Sequence, residues 1–181
     1  MDSLKGAQVI ACIGLGSNLG DSLQILQDGW QRLGQQKGIS LQSLSAPYQS
    51  KPVDMESKHW FINAAGVIKT TLAPEALLKR LLFVEKDFGR RHNPDDRGHQ
   101  DRTLDLDLLL YDDLILKTSL LQIPHPQMHK RLFVLTPLAE LTPDLIHPQL
   151  RKSIETLRQG LLNDTHSEDG QEVYRLTVND T

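Results

Sequence analysis

Apolar and polar residues alternate most regularly along Arg102-Thr-Leu-Asp-Leu-Asp-Leu-Leu-Leu-Tyr-Asp-Asp113. A period of two is that of a strand, and it sets Leu104, Leu106, Leu108 and Leu110 on one face, with Asp105, Asp107 and Leu109 on the other. Upstream, the apolar run Gln8 to Ile13 predicts a first strand, entering a glycine-rich turn at Gly14-Leu-Gly-Ser-Asn-Leu-Gly-Asp21. Leu23, Leu26, Trp30 and Leu33 then recur at helical spacing, with Asp21 as N-cap and Gly34 or Gly38 as the stop. Ile39 to Tyr48 has strand character, Gln49 to His59 with its Pro52 is a surface loop, and Trp60 to Ile68 is a more buried strand. Pro74 opens a second helix whose inner face is Leu77, Leu78, Leu81, Leu82, Glu85 and Phe88, closed by Gly89.

The order strand, helix, strand, strand, helix, strand is the βαββαβ pattern of an α+β, ferredoxin-like antiparallel sheet with helices packed on one face. Extra C-terminal helices are expected at 131–141, ending or interrupted near Pro137, and at 152–162. We read 1–162 as a single domain and 163–181 as a polar tail, in which Val173 to Val178 is strand-like and has no assigned role.

Composition narrows the classes. A chain of 181 residues with 39% hydrophobic and 24% charged residues suits one globular domain. A net charge of −3 argues against a general nucleic-acid binder, which needs surplus Lys and Arg. The N-terminus has no secretory pattern and no stretch is apolar enough to span a membrane, so a cytoplasmic location is expected. Cys12, alone in an apolar strand, is a small core residue in a reducing compartment.

The candidate chemistry starts from Asp105 and Asp107. Carboxylates two apart on one strand face stand roughly 6–7 Å from each other and are costly unless a cation lies between them. Mg²⁺ carrying a phosphate substrate suits such a pair; the alternative is a solvated strand face, although Asp is a poor strand former. From Arg90 to Arg102 the chain is cationic, with Arg90, Arg91, His92, Arg97, His99 and Arg102, as a polyphosphate beside the Asp pair requires; the alternative is an ordinary solvated loop. Glu85 is a carboxylate at a position its neighbours make apolar. Asn63 in its apolar strand needs a partner, either nearby backbone or the edge of a heterocycle. The turn at 14–21 misses both the dinucleotide spacing and the phosphate-loop Lys, which favours a structural role. His125 and His129 are four apart, but Pro124 and Pro126 interrupt a helix and no third soft ligand is evident, so zinc is disfavoured. Arg131 and Phe133 offer a cation and a ring.

Gly14-Leu-Gly-Ser-Asn-Leu-Gly-Asp21, Phe61-Ile-Asn-Ala-Ala65, Arg102-Thr-Leu-Asp-Leu-Asp107 and Pro124-His-Pro126 stand in the order and spacing of a known family. Over roughly residues 8–150 the chain resembles the 6-hydroxymethyl-7,8-dihydropterin pyrophosphokinases of folate biosynthesis, which have the ferredoxin-like fold. The resemblance implies transfer of pyrophosphate from ATP, the co-substrate, to the pterin hydroxymethyl group, releasing AMP. By that resemblance Asp105 and Asp107 hold two Mg²⁺ ions, and Arg90 and Arg102 contact phosphates during catalysis. Glu85, Arg102, Leu108, His125 and Arg131 match ATP contacts. Phe61 and Phe133 match rings that sandwich the pterin, Asn63 the residue that bonds its edge, and Ser50, Pro52 and Val53 a loop whose backbone contacts it. The partners implied are these small molecules, for a monomer with no nucleic acid or membrane. Many members carry Trp-Gly-Pro or similar before the Arg of the metal strand, where this chain has His99-Gln-Asp101. The 90–101 loop is also about two residues longer than in short members, and His92 replaces an arginine of some members. Many members are fused to dihydroneopterin aldolase or dihydropteroate synthase, for which this chain is too short.

Three other classes compete. A ligand-binding module would bind nucleotide or pterin without forming AMP. An RNA-binding βαββαβ domain would expose aromatics on a basic sheet, where this strand carries two Asp. A Mg-dependent nucleotidyl transferase would use the same Asp pair but release pyrophosphate.

Overall fold

The computed structural model describes residues 7–53, 57–89, 101–164 and 171–177. The chain runs β1 (Val9–Ser17), α1 (Ser22–Gly34), β2 (Ile39–Leu44), β3 (Tyr48–Ser50), β4 (Phe61–Thr70), α2 (Pro74–Asp87) and β5 (Asp105–Tyr111). It continues through the short strands β6 (Leu116–Lys117) and β7 (Gln122–Ile123), a 3-10 turn at Met128–Lys130, α3 (Leu132–Leu141), α4 (Ile154–Asn163) and β8 (Val173–Arg175). The main sheet has the order β5-β1-β4-β3-β8, with β2 also beside β4, and every pairing in it is antiparallel. This is the α+β ferredoxin-like arrangement that the element order predicts.

Local chemistry explains the elements. Asp21 caps α1 by accepting the Gln24 amide at 3.2 Å, and Pro74 starts α2, where a missing N–H costs nothing. Gly89, at φ +84°, takes the left-handed turn that follows α2. Leu26, Trp30 and Leu33 of α1 and Leu77, Leu81 and Val84 of α2 pack on one sheet face, against Ala11, Ile13, Leu15, Ala64, Ile68, Leu104, Leu106 and Leu108. Val84 takes the inner position expected of Leu82, which is 37% exposed. Trp30 lies so close to β4 that a Cβ on Gly66 would stand 2.3 Å from its ring.

The opposite face is divided. Val134, Leu135, Leu138 and Ala139 of α3 and Ile154 of α4 cover one end, burying Cys12, Ala65, Val67, Leu109 and Leu110. Burial pushes the Cys12 thiol up to about 12, so it is an unreactive core group. The other end, with the start of β5, the end of β1 and the start of β4, is left to the site described below.

Four local expectations change. Gly14 and Gly16 belong to β1, not to a turn, because they pair with Asp107 and Asp105 of β5 and with Ala65 and Asn63 of β4. The second strand is broken into β2 and β3 around Pro47, which has no amide hydrogen to give a ladder. In β5 the register shifts so that Cys12 pairs with Leu110 and Ile13 with Leu108, leaving Leu109 as the extra residue of a bulge. Leu110 therefore joins Leu109 in the core beneath α3 instead of sharing the face of Leu104, Leu106 and Leu108. α3 continues through Pro137, and the polar tail contributes β8, which pairs with β3.

Candidate active site

Strand alternation turns Asp105 and Asp107 away from α1 and α2 and onto the divided face, directly opposite Gly16 and Gly14. A Cβ at Gly16 would stand 3.4 Å from Asn63 Oδ1, and one at Gly14 would meet the Leu109 side chain at 3.4 Å. Above this face lies a cavity of about 330 Å³ lined by Ser50, Val53, Phe61, Arg102, Asp105, Asp107, His125, Pro126, Gln127, Arg131 and Phe133. Its walls come from three places in the chain: the β3–β4 connection, the start of β5, and the segment leading into α3.

Charge is distributed unevenly around it. The Arg102 guanidinium pairs with the Asp105 carboxylate, both partly buried. Arg131 lies with its guanidinium carbon 5.7 Å from the centre of the Phe133 ring. His125 is held low, to about 4, first by burial and then by the Arg131 charge, with Asp105 pulling weakly the other way. The ring is therefore neutral at pH 7. Its Nδ1 accepts the Gln127 amide at 3.2 Å, so Nε2 carries the hydrogen and is a donor. A donor, two arginines and two carboxylates around one cavity suit a polyphosphate whose charge is shared with a metal.

The donor set can be tested for metal. Among the described residues no group of three or more His, Cys, Asp or Glu is placed to hold an ion. Two carboxylates alone do not make a zinc site. They do fit Mg²⁺, which is held by one or two carboxylates while phosphates and water fill its other positions.

Nine of the residues expected at the site line the cavity: Ser50, Val53, Phe61, Arg102, Asp105, Asp107, His125, Arg131 and Phe133. Asn63 lies just behind them, 4% exposed, donating from Nδ2 to Ser50 Oγ at 2.8 Å, so its partner is a side chain and not the backbone. Pro52 lines a separate, wider hollow with Lys51, Lys58 and Trp60. Leu108 packs in the core on the α1 and α2 side. Glu85 is on that side too, 1% exposed, where its Oε1 accepts the Leu106 amide at 2.8 Å and fixes the backbone between Asp105 and Asp107. Arg90 and the 90–100 stretch, including His92 and His99, lie outside the described residues.

Sequence reasoning assigns no role to Asn18, Pro126, Gln127 or Gln171. Asn18 is buried and bonded to Asp101 and Arg102, an arrangement signalled only by a polar side chain in a glycine-rich run. Gln171 bonds to the start of α3, and nothing local in its sequence announces a contact made 39 residues away.

Comparison with known proteins shows the family and the fold. Residues 12–143 match the family model described as 7,8-dihydro-6-hydroxymethylpterin-pyrophosphokinase (HPPK). The chain is 35% identical over 146 residues to the 2-amino-4-hydroxy-6-hydroxymethyldihydropteridine pyrophosphokinase of Aquifex aeolicus, covering 81% of this chain and 88% of that one. It is 37% identical over 158 residues to the Folic acid synthesis protein FOL1 of Dictyostelium discoideum, covering 85% of this chain but only 23% of that longer one. A solved Plasmodium falciparum HPPK-DHPS structure superposes with a TM-score of 0.74 at 16% identity, covering 97% of this chain and 50% of that one, which speaks to the fold. The fold and the matched region together define the class as pyrophosphokinase. The chain belongs to the 7,8-dihydro-6-hydroxymethylpterin-pyrophosphokinase family.

Proposed function

We propose that the protein transfers the pyrophosphoryl group of ATP to 6-hydroxymethyl-7,8-dihydropterin, as a step of folate biosynthesis. The pterin hydroxymethyl oxygen attacks the β-phosphorus, the bond from that phosphorus to the oxygen bridging to the α-phosphorus breaks, and AMP leaves with the bridging oxygen. The hydroxyl proton passes to solvent. The observation that carries this reading is one cavity with the Asp105–Asp107 pair on its floor, Phe61 on one wall and Phe133 with Arg131 on another.

In this reading Asp105 and Asp107 hold two Mg²⁺ ions, which neutralise phosphate charge and lower the pKa of the attacking hydroxyl when bound. Arg102 moves from Asp105 to the phosphates, and Arg90 joins it. His125, neutral at pH 7, donates from Nε2 to a phosphate oxygen, and Arg131 supplies a fixed cation beside it. Glu85 acts through the β5 backbone it holds, and Leu108, which matches an ATP contact by the resemblance, follows Asp107 directly in β5. Phe61 and Phe133 stack on the two faces of the pterin, as flat heterocycles are held by aromatic rings. Asn63, steadied by Ser50, bonds the pterin edge, and the 50–53 backbone completes that side. Catalysis then rests on positioning and charge neutralisation. Among the described residues no helix is long and apolar enough to cross a membrane.

The test is product analysis with ATP, Mg²⁺ and the pterin. AMP and pterin diphosphate in equal amounts are expected. ADP or free pyrophosphate as the nucleotide-derived product overturns the reading in favour of another phosphotransferase, and binding without turnover overturns it in favour of a ligand-binding module.

A further inference from the structure

The helix that carries Phe133 has no cap of its own. α3 is preceded by Arg131, whose side chain makes no capping bond, so its first amides depend on what lies nearby. Val134 and Leu135 return to the Arg131 carbonyl at 3.1 and 3.0 Å, whereas Leu132 donates to Gln171 Oε1 at 2.7 Å. Gln171 Nε2 in turn donates to the Lys130 carbonyl at 2.8 Å, so one side-chain amide binds the peptide groups on both sides of Arg131. The first turns of α3 are also short of an internal bond, because Pro137 cannot donate to the Phe133 carbonyl four residues before it.

Gln171 is itself anchored to the opposite wall. Val173, Tyr174 and Arg175 of β8 pair with Ser50, Gln49 and Tyr48 of β3, and Leu176 donates to the Pro47 carbonyl at 2.9 Å. Glu172 pairs with Lys51 at 2.7 Å, and the Tyr174 ring stacks on Trp60 at 6.3 Å. The segment 171–176 is thus a strut, fixed to β3 at one end and to the start of α3 at the other.

We propose that Gln171 is a positioning residue of the active site, holding Arg131 and Phe133 at a set distance from the wall that carries Ser50 and Phe61. The proposal rests on the reading of the cavity as the pterin and ATP site. Its consequence is a defined pattern of kinetic damage. Loosening the start of α3 weakens binding of both substrates, to which that segment contributes, and leaves the carboxylate floor on β5 intact. Such a change removes binding felt equally in ground and transition states, so KM rises while kcat is kept.

The experiment compares the full-length protein with Gln171→Ala and Gln171→Glu, reading steady-state kinetics, thermal melting and amide exchange of residues 131–136. For Gln171→Ala we expect KM for pterin and for ATP to rise about five-fold, the equilibrium worth of roughly one hydrogen bond, with kcat within about two-fold and faster exchange at 131–136. Gln171→Glu keeps an acceptor for the Leu132 amide, and a carboxylate is favoured at a helix N-terminus, but it cannot donate to the Lys130 carbonyl, so it recovers part of the loss in KM and exchange. Unchanged KM in Gln171→Ala, or a fall in kcat matched by a global loss of melting temperature and not recovered by Gln171→Glu, overturns the proposal. Failure of the native protein to form AMP would be a failure of the function reading instead. The exchange comparison needs no turnover, and unchanged exchange at 131–136 in Gln171→Ala would sink the strut whatever the reaction is.

Discussion

Asn18 holds the Arg102 peptide by both of its polar groups: Asn18 Oδ1 accepts the Arg102 amide at 2.7 Å, and the Asn18 amide donates to the Arg102 carbonyl at 3.0 Å. Its Nδ2 donates to Asp101 Oδ1 at 2.7 Å, so the side chain is fully engaged on the residues that enter β5. The turn after β1 thereby fixes where the Arg102 guanidinium starts from, and Arg102 in turn pairs with Asp105.

Asn18→Ala should therefore damage catalysis as well as folding. It leaves the Arg102 amide without its acceptor, a loss of about 1–3 kcal/mol for a buried group. We expect kcat/KM to fall on the order of ten-fold at temperatures where the variant is still folded, because on the proposed function Arg102 contacts phosphates and its misplacement is felt in the transition state. Chemical denaturation run beside initial-rate kinetics checks both halves; a variant that loses stability but keeps its kcat/KM would show that the clamp serves the fold alone.

A second substitution probes the packing under the floor. Gly66→Ala places a Cβ 2.3 Å from the Trp30 ring, and a buried indole cannot swing aside as a long flexible chain would. Overpacking of this kind costs about 1–3 kcal/mol, read as a lower denaturation midpoint with little change in its slope.

Stability should also fall on mild acidification. His147 is 2% exposed, and burial first, then the neighbouring His129 ring, hold its pKa below the ordinary value. Above about pH 6.5 both folded and unfolded chains carry it neutral. As pH drops below that value the unfolded chain takes up a proton that the folded chain refuses, and stability declines until the folded pKa is reached. His147→Asn, whose Oδ1 can replace Nδ1 as acceptor for the Leu150 amide, should flatten that decline below about pH 6.5, as measured by denaturation at each pH. An unchanged slope would mean that other groups set the acid response.

Much of this was legible in the sequence because it is written in short-range periodicity. The alternation of Asp105 and Asp107 with leucine marks a strand with one polar face, and Asp21, Pro74 and Gly89 mark helix ends by their own backbone chemistry. Where three leucines follow one another at 108–110, the pattern carries no phase, so the bulge that turns both Leu109 and Leu110 toward α3 leaves no trace. Glycines at 14 and 16 read as a turn because their place inside β1 is set by pairing with β4 and β5 across the sheet, which local sequence does not show. Gln171 and Asn18 were silent for the same reason, since each acts on a backbone segment distant in sequence.

The central claim is that the β5 carboxylates carry pyrophosphoryl transfer, and Asp107→Ala tests it most directly. AMP formation from ATP, Mg²⁺ and 6-hydroxymethyl-7,8-dihydropterin should fall by at least about 10³-fold, as expected when a metal ion worth several kcal/mol of charge stabilisation is lost from the reaction. Melting should change little, because Asp107 faces the cavity and not the core. AMP formation within a few-fold of the native rate, in a folded variant, would contradict the account.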